Sequence, residues 1–421
     1  MGGGGFFTGI APRQVASFAV LVTLLLAWAT TSIALRQPWL GLTLKVDKSN
    51  RVVVTNVHLD GPARGLVHEG EIIKGIGRDG TIFNISSETL IEEPDLLDTY
   101  AQYNAFLIQQ GRLYRTLESG AVTVITARGA VDIKPRATRP IGALPLLFWF
   151  QLVCGVLAAV SAVAVVAFKR HSGAARAYGL TGAAFLIVTF SAAVYSTREL
   201  ALEFALFRSL SVLNHFGSLV FTGAFVTLLW HYPARLGKSR LPMIIVLAYL
   251  AIWVADTAQV MPDLDTGFRL PVIAGLMLSL VFAILQWRRS KQQVVDRAAL
   301  KWFLFSLYLG GATFVFALFV TVWLGLPPPL SQGYTFGILT VMYLGIAVGI
   351  SRYRLFELDR WWLNVWLWLI AGATVVVADI TIAYMVNISH SLALALALAL
   401  VGWVYFPARQ WLLAKVLGQR P

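Results

Sequence analysis

Long uninterrupted apolar runs, separated by short polar segments, dominate the chain. The first extends from Gln14 to Leu35 without a charged residue. No small-residue cleavage site of the Ala-x-Ala kind accompanies it, so it predicts a retained transmembrane helix rather than a removed leader. Nine further runs follow Pro140, at about 144–168, 176–196, 208–230, 241–260, 269–287, 302–324, 332–350, 365–386 and 390–406. Each is close to the ~20 residues a helix needs to cross a bilayer. The last contains an alternating Ala/Leu stretch whose period of two hints at a strand. Ala and Leu are strong helix formers and a lone strand cannot satisfy its backbone in lipid, so a helix is expected there too.

Between the first run and the others the pattern changes. Over Arg36–Pro140 polar and apolar residues alternate, charge returns, and Asp60-Gly61-Pro62 and Asp79-Gly80 mark turns. Arg51–Val57 and Val122–Ala127 read as strands, and Asp95–Gln110 as a helix with Pro94 at its start and Gly111 at its end. The expected fold class is therefore mainly α: a polytopic transmembrane bundle of about ten spans with one inserted α+β domain at 36–140. Residues 1–13, Gly-rich at their start, are expected to be disordered, with the bundle over 144–406 and a terminal helical segment over 407–421.

Composition agrees. Hydrophobic residues make up 57% of the 421 and charged residues 13%, against roughly 25% charge in a soluble domain. This excludes an ordinary soluble enzyme and implies a lipid bilayer as partner. The net charge of +13 does not point to nucleic acid, because the basic residues are dispersed among short loops. Eighteen Lys and Arg fall on one side of the predicted spans and only Arg198, Arg208 and Arg269 on the other, outside the inserted domain. The positive-inside rule then places both termini in the cytoplasm and the 36–140 domain outside it. The single cysteine, Cys154, lies in an apolar run and reads as a small buried hydrophobe.

Chemistry-bearing patterns are sparse. The sequence has no His-Glu-x-x-His and no Walker loop, and its six histidines are scattered. Asp265-Thr266-Gly267 copies the aspartic-protease tripeptide without a second copy and reads as a turn. No catalytic residue, metal site or cofactor is expected. Asp256 and Asp379 stand inside apolar runs, where carboxylates are costly and often functional. They are candidate contacts for a ligand, with hydrogen bonding between helices or pairing with Arg208 as the structural alternative. Gly333, Gly337, Gly345 and Gly349 form two G-x-x-x-G pairs, a pattern for close helix packing.

Trp39-Leu40-Gly41-Leu42-Thr43-Leu44 resembles the carboxylate-binding loop of PDZ domains. Val53–Val57, Gly61-Pro62-Ala63-Arg64-Gly65-Leu66 and Gly70-Glu71-Ile72-Ile73 extend the resemblance, with Glu71 where bacterial members usually carry Asp. It implies that Leu40, Gly41 and Leu42 cradle a C-terminal carboxylate and that Thr43 and Leu44 begin the strand that pairs with the bound peptide. The remainder resembles the input region of bacterial sensor histidine kinases of the many-span competence and quorum-sensing type. The residues are Trp230–Leu236, Asp296–Phe303, Ser351–Arg360 and Phe406-Pro407-Ala408-Arg409. This implies a receptor in the bacterial inner membrane that binds an external peptide or membrane-proximal signal. Leu412, Leu413, Val416 and Leu417 would pair in a homodimer, and the signal would reach a response regulator only through a kinase region not within this sequence. The alternative is a PDZ-bearing assembly factor, protease-like enzyme or transporter that binds partner C-termini.

Overall fold

A computed structural model describes residues 12–169, 172–293 and 332–352, with single positions between 297 and 310. All of them belong to one compact unit, 1–356. The expected spans at 365–386 and 390–406, most of that at 302–324, the terminal segment 407–421 and Asp379 lie outside the described residues.

The fold is mainly helical with a small β region. The apolar runs become α1 (Pro12–Leu35), α3 (Leu146–Lys169), α4 (Gly173–Ser196), α5 (Phe204–His231), α6 (Leu241–Thr257), α7 (Leu270–Arg289) and α8 (Gln332–Arg352). Among the described residues five helical stretches are long and apolar enough to cross a membrane: 14–35, 146–167, 173–196, 204–231 and 265–289. Those at 241–257 and 333–347 are apolar but shorter. This composition and length fit a membrane protein.

Small residues set the helix packing, as they must where apolar surfaces gain nothing by leaving lipid. α4 is the central helix, between α3 and α5. A side chain on Gly182 would collide with Ala162, and one on Gly217 with Val188 and the Ala184 carbonyl. The rings of Tyr178 and Tyr343 stack with centroids 4.5 Å apart, and the Tyr343 hydroxyl donates to the Tyr178 carbonyl at 2.8 Å. Gly333 and Gly337 lie directly over Gln151 and Phe150, so these two glycines mark the contact of α8 with α3. α1 is peripheral, with Phe18 and Trp28 about 70% exposed. Cys154 is buried, as expected.

Between α1 and α3 the chain builds an α+β domain. β1 (Leu42–Val46) and β2 (Val52–Val57) form an antiparallel pair. β3 (Ile73–Arg78), β4 (Thr81–Asn84), β5 (Val122–Thr126) and β6 (Ala130–Ile133) form a second sheet in the order β4-β3-β5-β6. A bridge from Val53 to Ile72 connects the two. Asp79 and Gly80, both at positive φ, make the two-residue turn between β3 and β4 that such a hairpin favours. Leu40, Val54, Ile76, Leu113 and Val124 are at the centre of the core.

One expectation is corrected. The helix of this domain, α2, runs from Tyr100 to Glu118, not from Asp95 to Gln110. Its start is set by Thr99, which accepts from the Gln102 amide at 3.2 Å while Gln102 accepts from the Thr99 amide at 3.1 Å, a capping box. Pro94–Leu96 forms a separate 3₁₀ turn. Gly111 lies inside the helix, where an added Cβ would fall 2.7 Å from the Phe204 Cβ at the start of α5. The glycine is a docking notch for the bundle, not a stop signal.

Helix propensity alone predicts that Gly111→Ala stabilises α2 by about 1 kcal/mol. Because the methyl group meets Phe204, we expect a net loss of about 1–2 kcal/mol, typical of overpacking, read as a lower melting temperature of the full chain. An increase would mean that α2 and α5 are not in contact.

Candidate functional site

Trp39-Leu40-Gly41-Leu42 crosses from the end of α1 into β1. Trp39 and Arg136 exchange both backbone hydrogen bonds at 2.9 Å. The Leu40 and Gly41 carbonyls accept from Ala63 at 2.9 Å and His58 at 2.8 Å. With its carbonyls held on that side, the loop turns at Gly41, whose φ is +85°. An added Cβ would fall 2.5 Å from the Gly61 Cα. Glycine is required here twice, for its dihedral angle and for the approach of the neighbouring backbone.

The amides freed by this turn converge on a carboxylate within the chain. Glu199, three residues after α4 ends, accepts from Leu40 N–H at 2.7 Å and from Leu42 N–H at 2.5 Å. The Gly41 amide and the Arg139 charge also favour its ionised form. Loss of water outweighs them all and pushes the carboxyl up to about 7. The Leu40, Gly41 and Leu42 amides thus face a carboxylate of this chain, from the α4–α5 loop. Thr43 and Leu44 are in β1, which pairs with β2 alone among the described strands; Thr43 is exposed.

The rest of the α4–α5 loop is inserted into the domain. Arg198 donates to the Gln110 side chain at 3.1 Å and to the Ile91 carbonyl at 2.5 Å, and lies over the Phe207 ring at 4.9 Å. Its guanidinium is pushed down to about 10 by loss of water, against the pull of Glu93 and Glu92, and stays charged at neutral pH. Leu200 and Ala201 join the domain core. Arg139 fixes the domain's other exit: its Nη1 donates to the Thr197 carbonyl at 2.8 Å, and its amide to Leu35 at 2.8 Å.

Asp256 belongs to a second junction. It is 4% exposed, with Oδ2 2.7 Å from His215 Nδ1 and Oδ1 accepting from the Tyr100 hydroxyl at 2.7 Å. His215 stacks on Phe268 at 4.1 Å. Asp265-Thr266-Gly267 is indeed part of a turn, Asp265–Arg269, π-helical in form, and brings Gly267 against Asp256 and Tyr100. Asn104 and Gln259 exchange two amide hydrogen bonds, at 2.8 and 3.0 Å. The buried Arg269 pairs with Asp265 at 2.9 Å and donates to the Leu97 carbonyl at 2.5 Å. Asp256 therefore joins α2 to α5 and α6 and does not line an open cavity. Its hydrogen-bond partners are His215 and Tyr100; Arg208 shares only the small space beside them.

Glu199, Arg198 and Arg139 went unread in the sequence. The available signal was an adjacent Arg-Glu pair in the short connection between two apolar runs. Among the described residues no group of three or more His, Cys, Asp or Glu side chains is placed to hold a metal ion. Comparison with family models, with curated proteins and with solved structures finds no match.

The raised carboxyl of Glu199 sets a pH dependence. A group that binds its proton more tightly in the docked state than in the unfolded one contributes most at low pH and loses that contribution as pH rises through its folded value. Glu93 and Asp95, both raised by burial, act in the same direction. Thermal unfolding of the full chain should show stability falling between pH 5 and about pH 7. Glu199→Gln should reduce that slope, because the amide has no proton to lose, and should change stability by less than about 1 kcal/mol at pH 5, where the carboxyl is already protonated. A slope equal to that of the parent chain would place the titration elsewhere.

Proposed function

We propose that the chain is the signal-receiving module of a multi-pass membrane receptor. Its PDZ-like domain is extracytoplasmic and its termini are cytoplasmic. The observation that carries this reading is the Glu199 carboxylate in the amide cradle of Leu40 and Leu42. The cradle suits a terminal carboxylate, and its internal occupant belongs to the connection between α4 and α5. A peptide or protein C-terminus that enters the cradle must expel Glu199, and with it the loop anchored by Arg198. Binding outside is thereby coupled to the two helices that the loop joins.

Tethering gives Glu199 a strong advantage. Its effective concentration is on the order of millimolar or above, so a competitor must gain further contacts, most simply by strand addition along the edge of β1 that no described strand pairs. The ligand then shifts the equilibrium by the difference in its affinity for the latched and unlatched states, typically 1–3 kcal/mol for coupled sites. In the sensor-kinase reading, displacement passes through the bundle to a homodimer and, by way of a kinase region outside this chain, to a response regulator. The charge asymmetry of the short loops supports the orientation.

Peptides with free and amidated C-termini, titrated against the full chain in nanodiscs, test the competition. The free acids should bind at least tenfold more tightly to Glu199→Ala than to the parent chain, and the amides should not gain. Equal affinity of acid and amide, or no gain from Glu199→Ala, would remove the cradle from the function and leave it a structural joint.

A further inference from the structure

A cavity of about 100 Å³ lies inside the bundle, between α4, α5, α7 and α8. Its walls are largely apolar, with Phe185, Phe221, Phe225, Leu276 and Phe336 among them. The hydroxyls of Thr222 and Ser279, which also line it, donate to carbonyls of their own helices at 2.8 and 2.6 Å. Ser218 lines it too, and the α+β domain contributes Asp95, on the turn Pro94–Leu96. Asp95 is 5% exposed, and its Oδ1 has no hydrogen-bond partner.

A buried, unpartnered carboxyl oxygen is costly, and an apolar cavity of this kind stays dry unless an apolar molecule fills it. A single guest with a hydrocarbon body and one oxygen relieves both. Burial raises the Asp95 carboxyl, against the nearby charges of His215 and Arg269, which favours the protonated acid as a donor. An anionic guest would lose its hydration among the apolar walls. The volume, smaller than that of engineered cavities that admit benzene, limits the guest to about six heavy atoms.

We infer that this cavity is a binding site for a small neutral amphiphile, a compact alkyl or cyclic group bearing one carbonyl or hydroxyl, whose oxygen meets Asp95. The site is distinct from the cradle, and its occupancy is measured without reference to any signalling output. Because Asp95 belongs to the domain and the walls to the bundle, the guest binds only while the two are docked.

The probe is 3-fluorocyclobutanone, whose six heavy atoms match the cavity, with fluorocyclobutane as its hydrocarbon counterpart. Both are followed by fluorine NMR on the full chain in nanodiscs, with empty nanodiscs as the baseline. The ketone should give a saturable bound signal that Ser218→Leu, which fills the cavity, abolishes and Ser218→Ala retains. Asp95→Leu should weaken the ketone at least tenfold and leave the hydrocarbon unchanged, while Asp95→Asn, which restores a donor, should hold the ketone within about threefold of the parent. Circular dichroism establishes that each variant is folded. Equal binding of ketone and hydrocarbon to the parent chain, or ketone binding that survives in folded Ser218→Leu, would overturn the assignment.

Discussion

The placement of the α+β domain depends on a carboxylate that has given up much of its water. Glu199 is compensated chiefly by backbone amides whose direction is fixed by the Gly41 turn and the carbonyl bonds on its far side. Such donors are preorganised and cost little to align, but they do not fully offset desolvation, as the raised carboxyl records. The balance leaves the joint strong enough to position the loop and close enough to neutral to be reversed. A full buried ion pair would be harder to break without a large penalty, because removing one partner strands the other charge.

Around this joint the domain and the bundle share one interface. Arg198 donates to the Thr89 and Ile91 carbonyls, Phe204 fills the notch at Gly111, and the Tyr100–Asp256–His215 chain ties α2 to the bundle at a second point. Two separate anchors resist rotation where one would allow it. The consequence for function is direct: a change in the cradle, in the Asp256 junction or at Asp95 is felt on both sides of the interface. The proposed receptor activity needs no longer route than this.

Much of the architecture was legible in the sequence because it is local. Apolar runs mark the helices to within a few residues, as at 208–230 against Phe204–His231, and the Leu40-Gly41-Leu42 turn is encoded by three consecutive positions. What escaped is non-local. Glu199 meets Leu40 across 159 positions and Asp256 meets Tyr100 across 156, and neither periodicity nor composition reports which surfaces meet. Gly111 is the instructive error: a glycine ends a helix when the chain must turn, and sits inside one when a neighbour must approach, and only the neighbour, Phe204, distinguishes the cases. The hydrogen bonds of Asp256 between helices were an open alternative in the sequence, but their partners were hidden for the same reason, since charge is visible along a chain and the histidine and tyrosine that reach it are not.

The central claim is that the α4–α5 loop holds the domain in one orientation on the bundle. Spin labels at Thr81→Cys, at the exposed start of β4, and at Val260→Cys, 72% exposed beyond α6, report that orientation as a distance distribution; the native Cys154 is buried. Double electron–electron resonance on the full chain in nanodiscs should give a single narrow distribution that broadens when Arg198→Ala and Glu199→Ala are combined. A broad distribution in the parent chain, or one that stays narrow in the double variant, would contradict the account.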